Sequence, residues 1–231
     1  MRAILLGAGL GTRLLPLTER VPKCMIQVAG KPLLGWWFDL FRSYDFEEVL
    51  INTHYLPHVI ENYVAQQPKD LRISLAYEPT LLGSGGTLRA NAHFFDEGPT
   101  LVAYADNLTN LNLSTVVGAH MEHNLPFTLI AQMTENLMDK GVVERDDNGV
   151  MVGFEEKPCE PKSSIANAGI YIFSKEILQY IEDTEVCDIG CDILPRIIGR
   201  TKVHVTDDFL MDIGSPASLN LARREWRALS K

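Results

Sequence analysis

A chain of 231 residues has ample length to bury an apolar core and suits one large α/β domain or two small ones. Its 21 basic and 30 acidic residues leave a formal charge of −9, which argues against a general nucleic-acid or anionic-membrane surface, although a few cations converging locally still suffice to bind phosphates. The longest apolar runs are strand-length, short of the roughly 20 residues of a membrane span, and Met1-Arg2 with four apolar residues after it is too short for a secretory signal. A cytoplasmic protein with neither nucleic acid nor membrane as partner is expected. The four cysteines, Cys24, Cys159, Cys187 and Cys191, form no CxxC pair and have no ligand-spaced histidines; for Cys187 and Cys191, four apart, buried reduced thiols are expected rather than a structural metal. His120 and His123, on one face of a predicted helix, read as solvated surface.

In chain order, the first half alternates strand and helix signals at the spacing of a parallel sheet. Apolar strands are predicted at residues 3–6, 49–52, 73–77 and 101–105. Between them, Pro32 opens a helix through Arg42, Pro57 opens one through Ala65, and a third begins at Gly86, proline being suited to the first helical turn because its missing N–H has no partner there. A helix over 113–123 precedes a strand at 127–132. The second half opens with strands at 142–145 and 150–155 flanking Asp146-Asp147-Asn148-Gly149, a strong hairpin signal. A strand at 170–173, helices near 175–181 and 192–198, and a last helix from Pro216 to about Leu229, capped by Ser215, complete the pattern. No repeat or flexible linker interrupts it, so the two halves are expected to share one sheet.

The most chemical stretch is the first. The strand at 3–6 runs into Gly7-Ala8-Gly9-Leu10-Gly11-Thr12-Arg13, and Pro22-Lys23 follows ten residues later. Glycines at alternate positions let backbone approach a bulky ligand, and successive N–H groups there make a concave anion site, to which a helix N-terminus behind the turn would add positive charge. Arg13 offers a planar fork for phosphate oxygens, and Lys23 a point charge on what reads as an exposed loop. The dinucleotide fingerprint does not fit, because its sixth position is Thr12 and the next strand ends in Asn52-Thr53-His54 without a carboxylate; nor does the P-loop, because Gly30-Lys31 is followed by Pro32. A tight structural turn is the alternative to a triphosphate cradle.

Ligands of open α/β sheets sit beyond the carboxyl ends of the strands, and the loops at Gly7, at 78–86 and at Asp106 all follow strands in that way. Asp106, after the apolar strand ending at Ala105, and Asp212, before Ile213-Gly214-Ser215-Pro216, suit Mg²⁺, which takes oxygen ligands and keeps several waters; each is equally a turn or cap residue when read alone. Glu156-Lys157-Pro158 and Asn167-Ala168-Gly169 lie at the junction of two strands, where Lys157 suits a second phosphate and Glu156 and Asn167 suit polyol hydroxyls, or where they form an ordinary charged strand end. The loop Leu82-Gly83-Ser84-Gly85-Gly86 suits a flat base or is simply a flexible turn. No Gly-x-Ser-x-Gly nucleophile motif is present. An already ionised phosphate monoester needs no general base to attack a triphosphate, so alignment, a metal and cationic neutralisation suffice.

The run LLGAGLGTRLLPLTERVPKCM resembles the signature of the sugar-1-phosphate nucleotidyltransferases, and EPTLLGSGG, YADN, EEKP, NAGIYIF and DIGSP match in order over nearly the whole chain. The resemblance is to the short single-domain form that includes mannose- and heptose-1-phosphate guanylyltransferases. It implies an α/β, Rossmann-like fold: a mostly parallel mixed sheet flanked by helices, with a small β-rich sugar-binding insertion in the second half. One catalytic domain over 1–231 is implied, with a nucleotide-binding half at 1–135 and a sugar-phosphate-binding half at 136–231. The implied reaction joins NTP and sugar 1-phosphate into NDP-sugar and pyrophosphate with Mg²⁺. Carried over by position, Leu6, Gly7, Ala8, Gly9, Gly11, Thr12 and Arg13 hold the nucleotide, with Glu78, Gly83 and Ser84 near its base. Arg13 and Lys23 act in catalysis, Asp106 and Asp212 hold the metal, and Asn107, Glu156, Lys157 and Asn167 contact the sugar and its phosphate. Ala105 stands where the family usually has glycine, the one hint of a catalytically silent relative, and the hexapeptide-repeat helix appended in some relatives is not expected. A carboxylate at Glu78 complements the two adjacent donors of guanine and partly repels the carbonyls of uracil or thymine, which points to GTP; uridylyl, thymidylyl and cytidylyl transfer remain the alternatives, and a homo-oligomer is possible.

Overall fold

The alternation of apolar strands and proline-started helices governs the first half of the computed structural model, which describes residues 1–229. The chain begins with β1 (Arg2–Leu6), the two-residue strands β2 (Gln27–Val28) and β3 (Lys31–Pro32), helix α1 (Leu33–Ser43), β4 (Glu48–Thr53), α2 (Pro57–Ala65) and β5 (Arg72–Tyr77). It continues through α3 (Gly83–Ala90), β6 (Thr100–Tyr104), β7 (Asn107–Thr109), α4 (Leu113–Glu122) and β8 (Phe127–Met133). Last come β9 (Gly141–Arg145), β10 (Met151–Glu156), β11 (Ile165–Phe173), β12 (Thr201–Val205), β13 (Leu210–Asp212) and α5 (Pro216–Leu229). The architecture is α/β and Rossmann-like, a mixed sheet with flanking helices. No helix of the described residues is long and apolar enough to cross a membrane. Two compact units are interleaved in sequence: one comprises Met1–Leu81, Ala103–Leu111 and the chain from Asp208 onward, the other Leu82–Val102 and Asn112–Asp207.

In the first unit β1, β4 and β5 pair in parallel, with Leu6 opposite Asn52 and Asn52 opposite Ala76. Ala3, Ile4, Leu5, Val49 and Ile51 are wholly buried, as a parallel sheet covered on both faces requires. Helix α1 spaces Leu34, Trp37, Phe38 and Phe41 three and four apart, and all are buried; each such side chain contributes roughly 1.5–3 kcal/mol by leaving water. Trp37 also donates its indole N–H to the Asn107 carbonyl at 2.9 Å, fastening β7 to α1. β7 pairs antiparallel with β13, Asn107 opposite Asp212, two short strands that the sequence reading did not separate from loop. A second apolar cluster gathers Leu14, Ile26, Val28, Leu33, Leu108, Ile213, Leu219, Ala222 and Trp226, with Trp36 edge-on to Trp226 at 5.2 Å. Ser215 caps α5 as expected, its Oγ accepting from the Ser218 N–H at 3.1 Å.

The second unit has the strand order β10-β9-β11-β8-β12, antiparallel except for β8 with β12. The Asn-Gly hairpin forms as predicted: Gly149 takes φ +71, its N–H donates to the Asp146 carbonyl at 2.9 Å, and the Asp146 side chain accepts from the Val150 N–H. Three expectations are corrected. α3 starts at Gly83 rather than Gly86, because the N–H groups of Gly85 and Gly86 are satisfied by the Cys187 carbonyl at 2.8 and 3.2 Å. In place of the two later helices stand a 3₁₀ turn at Lys175–Tyr180 and, over the second, a π turn at Ile189–Ile193 and a 3₁₀ turn at Leu194–Ile197, where Pro195 has no N–H to continue an α ladder. His120 is not solvated surface: it is 6 % exposed and joined to His123 through the buried Thr128 hydroxyl.

The Leu125 N–H donates to His123 Nδ1, so neutral His123 carries its proton on Nε2 and donates to Thr128 Oγ1 at 2.9 Å; the same Thr128 hydroxyl hydrogen-bonds His120 Nδ1 at 2.8 Å. Burial, with the second imidazole beside it, pushes His120 down to about 4, and burial also lowers His123. The unfolded imidazole protonates near pH 6.5 and native His120 only near 4, so the unfolded state holds the extra proton between these values and stability falls as pH falls through that window. The full contribution is on the order of 3 kcal/mol. In thermal melts, the Tm advantage of wild type over His120→Asn is expected to shrink between pH 6.5 and 4 and to be flat above pH 7. Gly83, at φ +76 with a Cβ site overlapping the Cys187 carbonyl oxygen, generates a second expectation. Gly83→Ala should lower stability by more than about 2 kcal/mol in denaturant titration.

Candidate active site

In the first unit the chemistry begins where β1 stops. The turn from Gly7 to Gly11 is pinned at both ends. Gly7 donates its N–H to Asn52 Oδ1 at 2.6 Å, and the buried Thr18 hydroxyl donates to the Gly11 carbonyl at 2.8 Å. Gly11 adopts φ +64, and a Cβ there would meet Thr18 Cγ2 at 2.9 Å, so glycine is required by conformation and by crowding. Gly9, in contrast, is exposed and has nothing within 4 Å of its Cβ site. Two features differ from the expected cradle. The Gly7 N–H is already committed to Asn52, so the outward donors start beyond it. Behind the turn stands only a single 3₁₀ turn, Thr12–Leu14, because Pro16 and Pro22 interrupt the chain, so no α-helix N-terminus supplies charge. Leu6 and Ala8 are buried beneath the turn, and the Leu6 carbonyl accepts from the Ala105 N–H at 3.0 Å.

That Leu6–Ala105 bond brings Asp106 alongside the turn. Lys23 Nζ donates to Asp106 Oδ2 and, at 3.0 Å, to Asp212 Oδ1, so residues far apart in sequence meet at one nitrogen. Backbone fixes the second carboxylate too: β13 places Asp212 opposite Asn107, and the Ile213 N–H donates to the Asp106 carbonyl at 3.1 Å. Lys23 is not the exposed loop cation expected, its side chain being 13 % exposed. Burial alone would lower its pKa, but Asp106 and Asp212 outweigh burial and raise it, so the ammonium stays charged. Cys24, buried beside Asp106, is pushed up to about 12 by burial and by that carboxylate, and is an inert thiol. Arg13 is exposed, forms no ion pair among the described residues, and lays Nη2 within 3.2 Å of the Cβ site of Gly214. The same site lies 2.7 Å from Asp212 Oδ2, so glycine at 214 leaves room for both side chains.

Among the described residues no group of three or more His, Cys, Asp or Glu is arranged to hold a metal, so Asp106 and Asp212 stand as a two-carboxylate set. Glu78 is 4 % exposed, and its Oε1 accepts from Asn52 Nδ2 at 2.9 Å, which turns it inward to the relay holding Gly7 rather than outward. Asn107 is also buried. Asn52 reads in the sequence only as a strand end lacking a carboxylate; its place follows from its register with Leu6, which no local signal gives.

The second unit holds the remaining positions. Ser84 donates Oγ–H to Asp188 Oδ2 at 2.7 Å and accepts from the Ile189 N–H, while Asp188 Oδ1 caps Gly190 and Cys191; Ser84 thus ties α3 to the π turn. The Glu156 carboxylate lies over two glycines, 2.7 Å from the Cβ site of Gly141 and 3.0 Å from that of Gly190. Burial raises its pKa, Lys157 opposes the rise, and Asp188 adds to it. Exposed Lys157 occupies left-handed backbone, φ +49, a strained state for a side-chain-bearing residue that concentrates at functional sites. Asn167 sits at the bulge of β11, donating Nδ2–H to the Tyr171 hydroxyl at 2.8 Å and accepting from the Gly169 N–H at 3.0 Å.

The chain is similar to known proteins over most of its length. The chain is 34 % identical over 233 residues to a UTP–glucose-1-phosphate uridylyltransferase of Synechocystis sp., covering 93 % of this chain and 60 % of that one. It is 30 % identical over 221 residues to the mannose-1-phosphate guanylyltransferase catalytic subunit beta of Drosophila melanogaster, with the same two shares. The chain therefore spans about three-fifths of the length of these curated relatives. Its fold matches a UDP-glucose pyrophosphorylase solved with UDP-glucose, at a TM-score of 0.87 and 20 % identity, covering 99 % of this chain and 98 % of that one. A family model described as nucleotidyl transferase matches residues 2–227, and the chain belongs to that family.

Proposed function

We propose that the chain transfers a nucleotidyl group from a nucleoside triphosphate to a sugar 1-phosphate, releasing pyrophosphate. The observation that carries the reading is the convergence of Asp106 and Asp212 on one cationic nitrogen beside a glycine turn that is open at its middle. Since no packing demands glycine at Gly9, close approach of a ligand from outside is its reason for being there.

Two carboxylates whose oxygens meet at a single cation suit a hard divalent ion that completes its shell with water and substrate phosphate. Asp106 and Asp212 would hold Mg²⁺, which supplies Lewis-acid polarisation of phosphate oxygens when bound. The chain's own residues bind and orient. An anionic oxygen of the sugar 1-phosphate bonds to the α-phosphorus, the bond from that phosphorus to its bridging oxygen breaks, and pyrophosphate leaves with the electron pair. No proton has to be removed. Arg13, without a carboxylate partner, neutralises the leaving pyrophosphate, and Lys23, kept charged by its neighbours, contacts phosphate during transfer. Glu156, Lys157 and Asn167 are assigned to the sugar and its phosphate. Lys157 is the cation among them, on strained backbone with its side chain in solvent.

GTP is the proposed donor, supported by relatives named as mannose-1-phosphate guanylyltransferases and no longer by Glu78, which is engaged with Asn52. The 34 % identical uridylyltransferase supports UTP as the second reading. Pyrophosphate release from GTP, UTP, dTTP and CTP over a panel of sugar 1-phosphates tests both. Release with GTP is expected; release with other nucleotides alone would remove the guanine assignment, and no release with any pair would remove the enzyme. Asp106→Asn is expected to lower kcat by about 100-fold or more. Lys23→Ala leaves two carboxylates facing each other, so Mg²⁺ should raise its Tm more than it raises that of wild type; equal shifts would place the metal elsewhere.

A further inference from the structure

The parallel register sets Asn52 beside Leu6, one residue short of the glycine turn, and puts Asn52, Ala76 and Glu78 on one face of the sheet. From there the Asn52 side chain accepts the Gly7 N–H at 2.6 Å and donates to Glu78 Oε1 at 2.9 Å. Both residues are 4 % exposed. Gly7 itself rides on the end of β4, its Cβ site 3.3 Å from the Asn52 carbonyl oxygen and from Ile51 Cγ2. The start of the turn therefore has one position, set by the sheet and one buried amide.

We infer that Asn52 is a positioning residue for the triphosphate turn, with Glu78 fixing which way its amide faces. This role rests on the nucleotidyl-transfer reading. An amide has one acceptor end and one donor end; the Gly7 N–H needs the acceptor, and a carboxylate, which only accepts, needs the donor. One orientation satisfies both neighbours, and its reversal faces donor to donor and acceptor to acceptor. A buried mismatch of that kind is costly, so the turn is held in a single arrangement before any ligand arrives. Glu78 then influences the nucleotide through Asn52, without touching the base.

The polarity can be exchanged, which provides the test. Asn52→Asp keeps the acceptor for Gly7 but sets two carboxylates against each other, Glu78→Gln keeps an acceptor for Asn52, and the double variant restores a donor–acceptor pair in reverse. Backbone amide exchange at Gly7 and calorimetric titration with Mg–GTP and Mg–UTP are measured on each full-length protein, with Tm as the folding control. Expected are faster Gly7 exchange and at least tenfold weaker nucleotide binding in Asn52→Asp, and recovery to within about threefold in the double variant. In turnover, KM for the nucleotide should rise while KM for the sugar phosphate stays unchanged; simple loss of folded protein would lower the apparent kcat and leave both KM values alone. If Asn52→Asp fails to fold, a folded double variant that binds normally supports the role, and one that binds poorly overturns it. Normal binding by folded Asn52→Asp overturns the role alone. Wild-type protein that binds neither nucleotide overturns the functional reading and this role together.

Discussion

The arrangement depends on one cation among carboxylates. Lys23 Nζ is shared by Asp106 and Asp212, and its charge offsets the repulsion between the two carboxylates. The pair is assembled by apolar packing rather than by charge. Leu14 lies beside Arg13, Ile26 follows Lys23, Leu108 follows Asp106 and Ile213 follows Asp212, and all four belong to one buried cluster closed by Trp226 of α5. Each charged residue is thus a near neighbour in sequence of an anchor in that cluster. Packing fixes the backbones, and electrostatics then has short distances over which to act.

A second constraint acts on the glycine turn, which is held by side-chain hydrogen bonds at its two ends and left open between them. Rigid ends with an unhindered middle are what close approach of a large anion requires, because the order is built in before binding. The second unit solves a similar problem differently. There the amides at the start of α3 are taken by the Cys187 carbonyl, and Ser84 with Asp188 ties α3 to the π turn. Glycines at 85, 141 and 190 leave space that side chains would fill.

Much of this was legible in the sequence, for reasons of period and punctuation. The strand signals at 3–6 and 49–52, the proline-started α2 and the Asn-Gly hairpin have strong local chemistry, and the structure follows them. Asp106 and Asp212 were visible as carboxylates after apolar runs, but their meeting at Lys23 was not, since it depends on the pairing of two three-residue strands too short to show alternation. The inward direction of Glu78 was equally hidden: register, not composition, decides that Asn52 stands between it and Gly7. His120 misled because its partner Thr128 lies on the next strand, and helix position alone gives no sign of that hydroxyl. The π turn at Ile189–Ile193, capped by Asp188, was hidden because its residues carry no pattern that separates one wide turn from the start of an α-helix.

In the proposed reaction transfer is direct: triphosphate and sugar phosphate react with each other, and no nucleotidyl group is parked on the protein. Exchange of labelled pyrophosphate into the nucleoside triphosphate tests it most directly. Direct transfer gives exchange only when the nucleotide sugar is present, running the reaction in reverse. Exchange with triphosphate and pyrophosphate alone would reveal a covalent nucleotidyl-enzyme and contradict it.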